Sequence, residues 1–364
     1  MGISKTIIIA IVAVVAIIII AGAAIMVLSS DKDNNNDNGS LTVTDGLGKV
    51  VTIDTSDKIA STSTVVTEII CGLGGYSKLA GVADDGYYGI DDYNIGMPND
   101  GYPKSVTDGL NNESLKNLGG MYMMSAESIL LSKPDLVIMG GYFNNDDTIS
   151  QLENLGIPVV VCKDDNTLDN IYFNIELIGK AIGKESEAKT LVEEMKSSIE
   201  KIVNWTESLD ATPERVAVLM GFGSEYGTYA NGNDYLMGTP LITMLGGINA
   251  FSSIPGMYDV VSTESIVSAK PDVIIDATPE SKSDLDSIKT DPLMMATNAA
   301  KNDRIYGVFD NCALSFAMTS QGFVNSIAIM AMFMYEDQLD FTIDHYMGNN
   351  YADYLEQFWE QMNS

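Results

Sequence analysis

From residue 41 onward, apolar and polar positions alternate between two kinds of segment. Short runs dense in aliphatic and β-branched residues, "KIAST", "LAGVAD", "DLVIM", "IPVVVC", "RVAVLMG" and "RIYGVF", predict buried strands. Between them, "VVTEIICGLGG", "ESILLS", "TISQLENLG", "TPLITMLGG" and "SQGFVNSIAIMAMFMYED" carry helical spacing, and terminal glycines or a following proline mark several of the stops. Strand, helix and strand in succession imply a parallel sheet covered on both faces. "LTVTDGLGKVVTI" stands ahead of this alternation as a hairpin turning at Asp45-Gly46.

Three stretches break the rhythm. Thr167 to Leu209 has helical spacing and no strand signal, with Thr167 as its cap and Gly179 and Gly183 as weak points. The segment from Asp85 to Ser114 is rich in Gly, Asp, Asn and Tyr and reads as a long loop, as does "FGSEYGTYANGNDYLMG" from Phe222 to Gly238. The third is apolar throughout: Ile7 to Leu28 carries no charge. As a helix it would span about 33 Å, enough to cross a bilayer once.

A near-repetition organises the rest. "SAESILLSKPDLVIM" (Ser125 to Met139) returns as "STESIVSAKPDVIID" (Ser262 to Asp276), and "GLGG" at Gly72 to Gly75 returns as "MLGG" at Met244 to Gly247. Copies this far apart do not make a solenoid. They make two α/β lobes. The boundaries that follow are a transmembrane anchor or signal segment at 1–28, a flexible tether at 29–40, an N-terminal lobe at 41–165, a single long bridging helix at 166–209, a C-terminal lobe at 210–340 and a helical tail at 341–364. The fold class is α/β: two Rossmann-like lobes with a ligand cleft between them.

Composition narrows the function. A net charge of −30 argues against nucleic acid and against non-specific adsorption to an anionic membrane. Three scattered cysteines, Cys71, Cys162 and Cys312, make no disulfide framework and no cluster or structural zinc site, and the single histidine, His345, rules out a His-rich metal site. No nucleophile triad is evident, so an enzyme is not expected. Lys5 before the apolar run and the acidic "DKDNNNDNGS" after it put the N-terminus inside and the bulk of the chain outside. "AGAA" at Ala21 to Ala24 would also serve a cleaved signal peptide. Asn112-Glu-Ser and Asn204-Trp-Thr match glycosylation acceptors.

Ligands of open α/β sheets lie beyond the C-terminal strand ends. Those ends lead here into loops bearing Tyr87, Tyr88, Tyr142, Tyr226, Tyr229, Asn231, Tyr235 and Phe316, a candidate ligand-binding set. Each ring offers contact area and, for tyrosine, a polar handle. Each could equally stack on its own loop.

The blocks "KIASTSTVVTEIICGLGGYSKLAGVAD", "MSAESILLSKPDLVIMGG", "LENLGIPVVV" and "STESIVSAKPDVII" resemble the substrate-binding proteins of ABC importers for iron-siderophore, haem and cobalamin, over roughly Leu41 to Asp337. The resemblance implies two lobes joined by a rigid long helix, one ligand between them, no intrinsic cofactor, a soluble part acting as a monomer, and as partner a permease dimer with its cytoplasmic ATPase. It also implies that Glu127 and Glu264, one per lobe, salt-bridge to that permease. A first-turn acid is favoured by the helix dipole alone, by about 0.3–1 kcal/mol. Only two arginines occur, Arg215 and Arg304, both at strand starts away from the cleft. Lys104 and Lys163 lie in neighbouring segments. The expected ligand is therefore neutral or cationic with apolar surface, a corrinoid or a hydroxamate-type ferric chelate, rather than a polyanion. The contrasting reading is a membrane-anchored sensor or adhesin that reuses the binding fold.

Overall fold

The computed structural model describes residues 40–83, 102–120, 124–142, 144–222, 224, 227–277, 282–308, 319–348 and 350–364. The apolar N-terminal run and its tether lie outside them, and among the described residues no helix is long and apolar enough to cross a membrane.

The hairpin forms as expected. Strands β1 (Leu41–Thr44) and β2 (Val50–Ile53) pair antiparallel with Val43 opposite Val51. The Asp45 carboxylate closes the turn by accepting from the Leu47 and Lys49 amides at 3.0 and 2.8 Å.

The first lobe follows: β3 (Ile59–Ser61), α1 (Thr64–Gly72), β4 (Leu79–Val82), α2 (Tyr102–Asn111), β5 (Lys116–Asn117), α3 (Ala126–Leu130), β6 (Leu136–Met139), α4 (Asp146–Asn154) and β7 (Val159–Val161). Its strands run parallel in the order β5-β4-β3-β6-β7. β3, β6 and β7 are buried at every position, as unbroken apolar runs require of a sheet covered on both faces. The segment expected to be loop throughout from Asp85 to Ser114 contains α2, because Tyr102-Pro103 supplies a helix start that the surrounding polar composition masks.

The stretch expected to be one bridging helix is two, α5 (Leu168–Ala181) and α6 (Glu185–Ser208). Gly183 takes φ +74°, a left-handed stop that ends α5. Gly179 is the contact point: a Cβ there would lie 2.3 Å from that of Ala188, so only glycine lets α5 and α6 approach so closely. α5 packs on α1 and β1, whereas α6 reaches the second lobe. At 24 residues α6 is about 36 Å long.

That second lobe comprises β8 (Arg215–Met220), β9 (Thr228–Asn231), α7 (Thr239–Met244), β10 (Ile248–Asn249), β11 (Tyr258–Val261), α8 (Thr263–Ala269), β12 (Val273–Asp276), α9 (Lys282–Thr290), α10 (Asn298–Lys301), β13 (Ile305–Val308), α11 (Phe323–Met334), β14 (Tyr346–Met347) and α12 (Tyr351–Asn363). The strand order is β11-β9-β8-β12-β13-β14, with β10 also on β8. β9 occupies part of the stretch expected to be a polar loop, and it runs antiparallel to β8. The tail from residue 341 is not a separate piece, since β14 extends the lobe's sheet beside β13 and α12 packs on α11. α11 is buried at almost every position, and one continuous apolar core runs from the first lobe through α5 and α6 to α11.

Candidate functional site

The C-terminal ends of β3 and β6 build the first rim. Beyond β3, Ser63 caps α1 by accepting from the Val66 amide at 3.2 Å. Beyond β6, the Gly140 amide donates to the Thr62 hydroxyl at 3.3 Å. A Cβ on Gly141 would lie 2.2 Å from the Lys163 carbonyl carbon, so glycine alone lets this turn sit against the chain leaving β7. The turn presents Tyr142, 41% exposed, over a pocket of about 80 Å³ lined by Ser63, Thr64, Gly141, Cys162 and Asp165 among others. That volume holds a few atoms, so the pocket is a recess of the rim and not a whole ligand chamber.

The opposite rim meets it. The Tyr142 hydroxyl lies 3.9 Å from the sulfur of Met257, the residue before β11. The Thr319 hydroxyl, just before α11, donates to the Asp165 carboxylate. Tyr229 on β9 and Tyr258 on β11 stand edge to face, 5.7 Å between ring centres. Burial and then Asp165 push the Tyr142 phenol up, and the same two causes in the same order push Tyr235 up to about 12. Asp165 is itself pushed up by burial, against the opposing pull of Thr319. These phenols stay protonated at neutral pH and serve as donors.

Of the residues singled out from sequence, Tyr142 and Tyr235 therefore gather around Asp165, and Tyr229 joins the rim through the Tyr258 ring. Asn231 is 2% exposed, and its carbonyl accepts from the Asn249 side chain at 3.0 Å, a position inside the lobe. Tyr87, Tyr88, Tyr226 and Phe316 lie outside the described residues. Sequence reading missed Asp165, Met257, Tyr258 and Thr319. Tyr258 stands four residues ahead of the second repeat copy, and that nearness was its only signal.

Both arginines are turned elsewhere, while Lys163 lines the recess. Arg215 starts β8, where its amide and guanidinium bind Asp272 and the Ala269 carbonyl. Arg304 makes a two-pronged pair with Glu214, 3.1 Å for each prong, and donates to the Phe333 and Met334 carbonyls. Both sit at the strand ends away from Tyr142, as the sequence suggested. The Lys163 ammonium lies over the Phe173 ring, 4.1 Å from its centre, and the Lys104 side chain lies outside the described residues. Among the described residues no group of three or more His, Cys, Asp or Glu could hold a metal ion.

A second contact between lobes lies deeper. The Gln321 amide donates to the Glu68 carbonyl on α1 at 2.9 Å. Glu68 is fully buried and neither of its carboxyl oxygens reaches a hydrogen-bond partner. Burial pushes its carboxyl up from 4.5 to about 8, with the nearby Ser320 hydroxyl opposing. It is protonated at neutral pH.

The duplicated units explain themselves residue by residue. Ser125 and Ser262 cap α3 and α8, each accepting from the amide three residues on, at 3.2 Å. Lys133 and Lys270 both take left-handed φ, 49° and 53°, just before the prolines that stop each unit. Asp135 accepts from the Lys58 amide at 3.0 Å and Asp272 from the Arg215 amide at 3.0 Å, so each holds the start of its lobe's central strand. Glu127 and Glu264 are exposed in the first helical turns. The turn's own amides, then Ser125, hold the Glu127 carboxyl below its ordinary range.

The family model described as "Periplasmic binding protein" matches residues 59–310. An uncharacterized ABC transporter substrate-binding lipoprotein of Bacillus subtilis, YvrC, is 28% identical over 276 residues, 74% of this chain and 78% of that one. The Fe(3+)-citrate-binding protein YfmC of the same organism is 26% identical over 50% of this chain and 55% of its own. A vitamin B12-binding protein of Pectobacterium carotovorum is 25% identical over 45% of this chain and 57% of its own. The chain thus spans little more than half the length of those last two. The solved structure of an ABC-type Fe3+-hydroxamate transport system from Saccharomonospora viridis superposes with TM-score 0.59 at 22% identity, covering 81% of this chain and 99% of that one, a likeness of fold.

Proposed function

The chain belongs to the periplasmic binding protein family, and on that premise we propose that it is the receptor of an ABC importer for a neutral or cationic metal chelate, a corrinoid or a hydroxamate-type ferric complex. The family works outside the cytoplasm, and its named relatives are substrate-binding proteins of transport systems. In this reading Tyr142, Tyr229, Tyr235 and Tyr258 pack against the ligand. Tyr87, Tyr88, Tyr226 and Phe316 complete the set expected from sequence, whereas the buried Asn231 supports the rim from inside the lobe. The exposed Glu127 and Glu264 meet arginines on the two halves of a permease dimer, where a pseudo-two-fold chain can offer the same acid twice to a two-fold partner. The N-terminal apolar run then anchors the receptor to the membrane.

The observation that carries the ligand class is electrostatic. Asp165 and protonated tyrosines face the cleft beside a single lining ammonium among the described residues, Lys163, held over Phe173, while Arg215 and Arg304 are consumed by backbone and Glu214 at the far strand ends. A ferric citrate or tricatecholate complex carries several negative charges and calls for clustered cations. The raised phenols also disfavour direct iron ligation, since a phenolate beside Asp165 would face like charge.

Titration of the purified chain tests this, following the visible spectrum and the emission of its two tryptophans. Cobalamin, cobinamide or a ferric trihydroxamate is expected to bind with a Kd of about 1 μM or tighter. Tighter binding of ferric citrate or a ferric tricatecholate would overturn the assignment.

A further inference from the structure

The two Asn-X-Ser/Thr triplets differ in exposure and in secondary structure, although each hydroxyl donates to a backbone carbonyl, Ser114 to Gly109 at 3.4 Å and Thr206 to Val203. Asn204 lies within α6, and the residues after it are occupied. Trp205 packs edge-on against Tyr335 and Phe358, with centroids at 5.8 and 5.4 Å. Thr206 is 6% exposed and its hydroxyl donates to the Val203 carbonyl at 2.9 Å. A triplet held in a helix with its hydroxyl buried cannot fold around an incoming catalyst.

Asn112, Glu113 and Ser114 form the turn between α2 and β5, and all three are exposed. The turn is fixed by its own bonds. The Asn112 amide donates to the Asp108 carbonyl at 3.0 Å and the Leu115 amide to the Gly109 carbonyl at 2.9 Å, while Glu113 takes a left-handed φ of 62°. The Asn112 side-chain oxygen accepts from the Ser114 amide at 2.9 Å. That bond orients the carboxamide, and its nitrogen makes no hydrogen bond among the described residues. The turn precedes β5, so it stands at the N-terminal edge of the sheet, opposite the rim that bears Tyr142. Bulk added here leaves the cleft open.

We propose that Asn112, and not Asn204, is the acceptor for an N-linked oligosaccharide added to the folded chain. The inference rests on the extracytoplasmic reading above. In the transfer, the Asn112 side-chain nitrogen bonds to the anomeric carbon of a lipid-linked oligosaccharide. The bond from that carbon to the lipid phosphate oxygen breaks, the lipid phosphate leaves with the electron pair, and the amide proton passes to a base of the transferase. The donor is a lipid-linked sugar supplied by the cell.

The test is mass spectrometry of the full chain purified from its source membranes, beside external protease treatment of intact cells. The peptide from Ser105 to Lys116 is expected to carry a carbohydrate mass increment, lost in both Asn112→Gln and Ser114→Ala, with the Asn204 peptide unmodified. The Ser114→Ala arm keeps the Asn112 side chain, so a loss there does not reflect a changed carboxamide. An unmodified Asn112 on a chain that external protease removes overturns the proposal alone. A chain protected from external protease overturns it together with the extracytoplasmic reading. A carbohydrate on Asn204 overturns selection by the folded turn.

Discussion

In the first lobe the outer edge of the central strand β3 is lined by one parallel neighbour, β4. In the second, the same edge of β8 is divided. Its lower half pairs with the parallel two-residue β10, through Arg215 and Val216, and its upper half with the antiparallel β9, through Leu219 and Met220. That exchange brings Tyr229 and, through β11, Tyr258 to the rim. Elsewhere the lobes agree closely. Gly74 and Gly246 close α1 and α7 with φ of 71° and 85°, and the following glycine amides donate to Ile70 and Ile242 at 2.8 and 2.9 Å. The repetition is therefore kept where a unit holds its own lobe and lost at the rim and where it meets the other lobe. Glu68 belongs to the second kind. Counting back from the shared glycines, its counterpart in α7 is Pro240.

Replacing Glu68 with Gln breaks that asymmetry and carries the largest expected effect. The folded value is raised from 4.5 to about 8, so the folded chain binds the proton more tightly than the unfolded one. The associated stability is fully present below about pH 4.5 and is lost as pH climbs through 8. At pH 9 the parent chain must bury an anion or expose the site, a penalty on the order of 3 kcal/mol that Glu68→Gln escapes. Thermal unfolding at pH 5.5 and 9 should show the parent losing several degrees relative to the variant. Parallel curves across that range would mean the carboxyl is not confined as described.

Next in size is the pair that the lobes share. Glu127→Gln and Glu264→Gln together should lower ligand-dependent uptake tenfold or more, with ligand affinity and unfolding midpoint unchanged, because both side chains are exposed and their caps rest on Ser125 and Ser262. Single variants sharpen the comparison. Equal losses mean the permease reads the two lobes alike; unequal losses mean that the lobe remade by β9 docks differently. Unchanged uptake in the double variant would remove the docking role.

Much of the lobed plan was legible because both signals that specify it are local. Continuous apolar runs identify β3, β6, β8, β12 and β13, and a cap, a proline stop and glycine ends bound the helices between them. The misses share a cause as well. β9, Thr228 to Asn231, lacks an aliphatic run and lies among glycines, and it becomes a strand because β8 and β11 flank it. The break in the helical linker turns on one glycine angle, at Gly183, and spacing alone does not report an angle. The cleft was half legible: strand-end tyrosines announce themselves by type and position, whereas Asp165 and Met257 matter only through partners far along the chain, Thr319 and Tyr142. Glu68 sat inside the quoted "TEI" as one polar position on a helix, and nothing in that spelling says that Gln321 of the other lobe will cover it.

The smallest effect tests the most faithful part of the repetition. Asp135 and Asp272 perform the same task, each accepting from the first amides of a central strand while its own amide donates back to that strand, Asp135 to the Lys58 carbonyl at 2.9 Å and Asp272 to the Arg215 carbonyl at 2.7 Å. Their surroundings differ. Asp135 binds the Asp57 and Lys58 amides where water can replace it. Asp272 binds a half-buried amide and also takes the Asn298 side chain at 2.9 Å. A backbone donor left unpaired costs more the less water reaches it. Asp272→Ala should therefore lower stability by about 1.5 kcal/mol and Asp135→Ala by about 0.5 kcal/mol, read from denaturant midpoints at constant slope. The asparagine variants keep an acceptor of the same shape and should recover most of each loss. Equal costs at the two positions would mean that the strand anchor, and not its solvent exposure, sets the price, and the two lobes would then be alike at their bases in energy as well as in form.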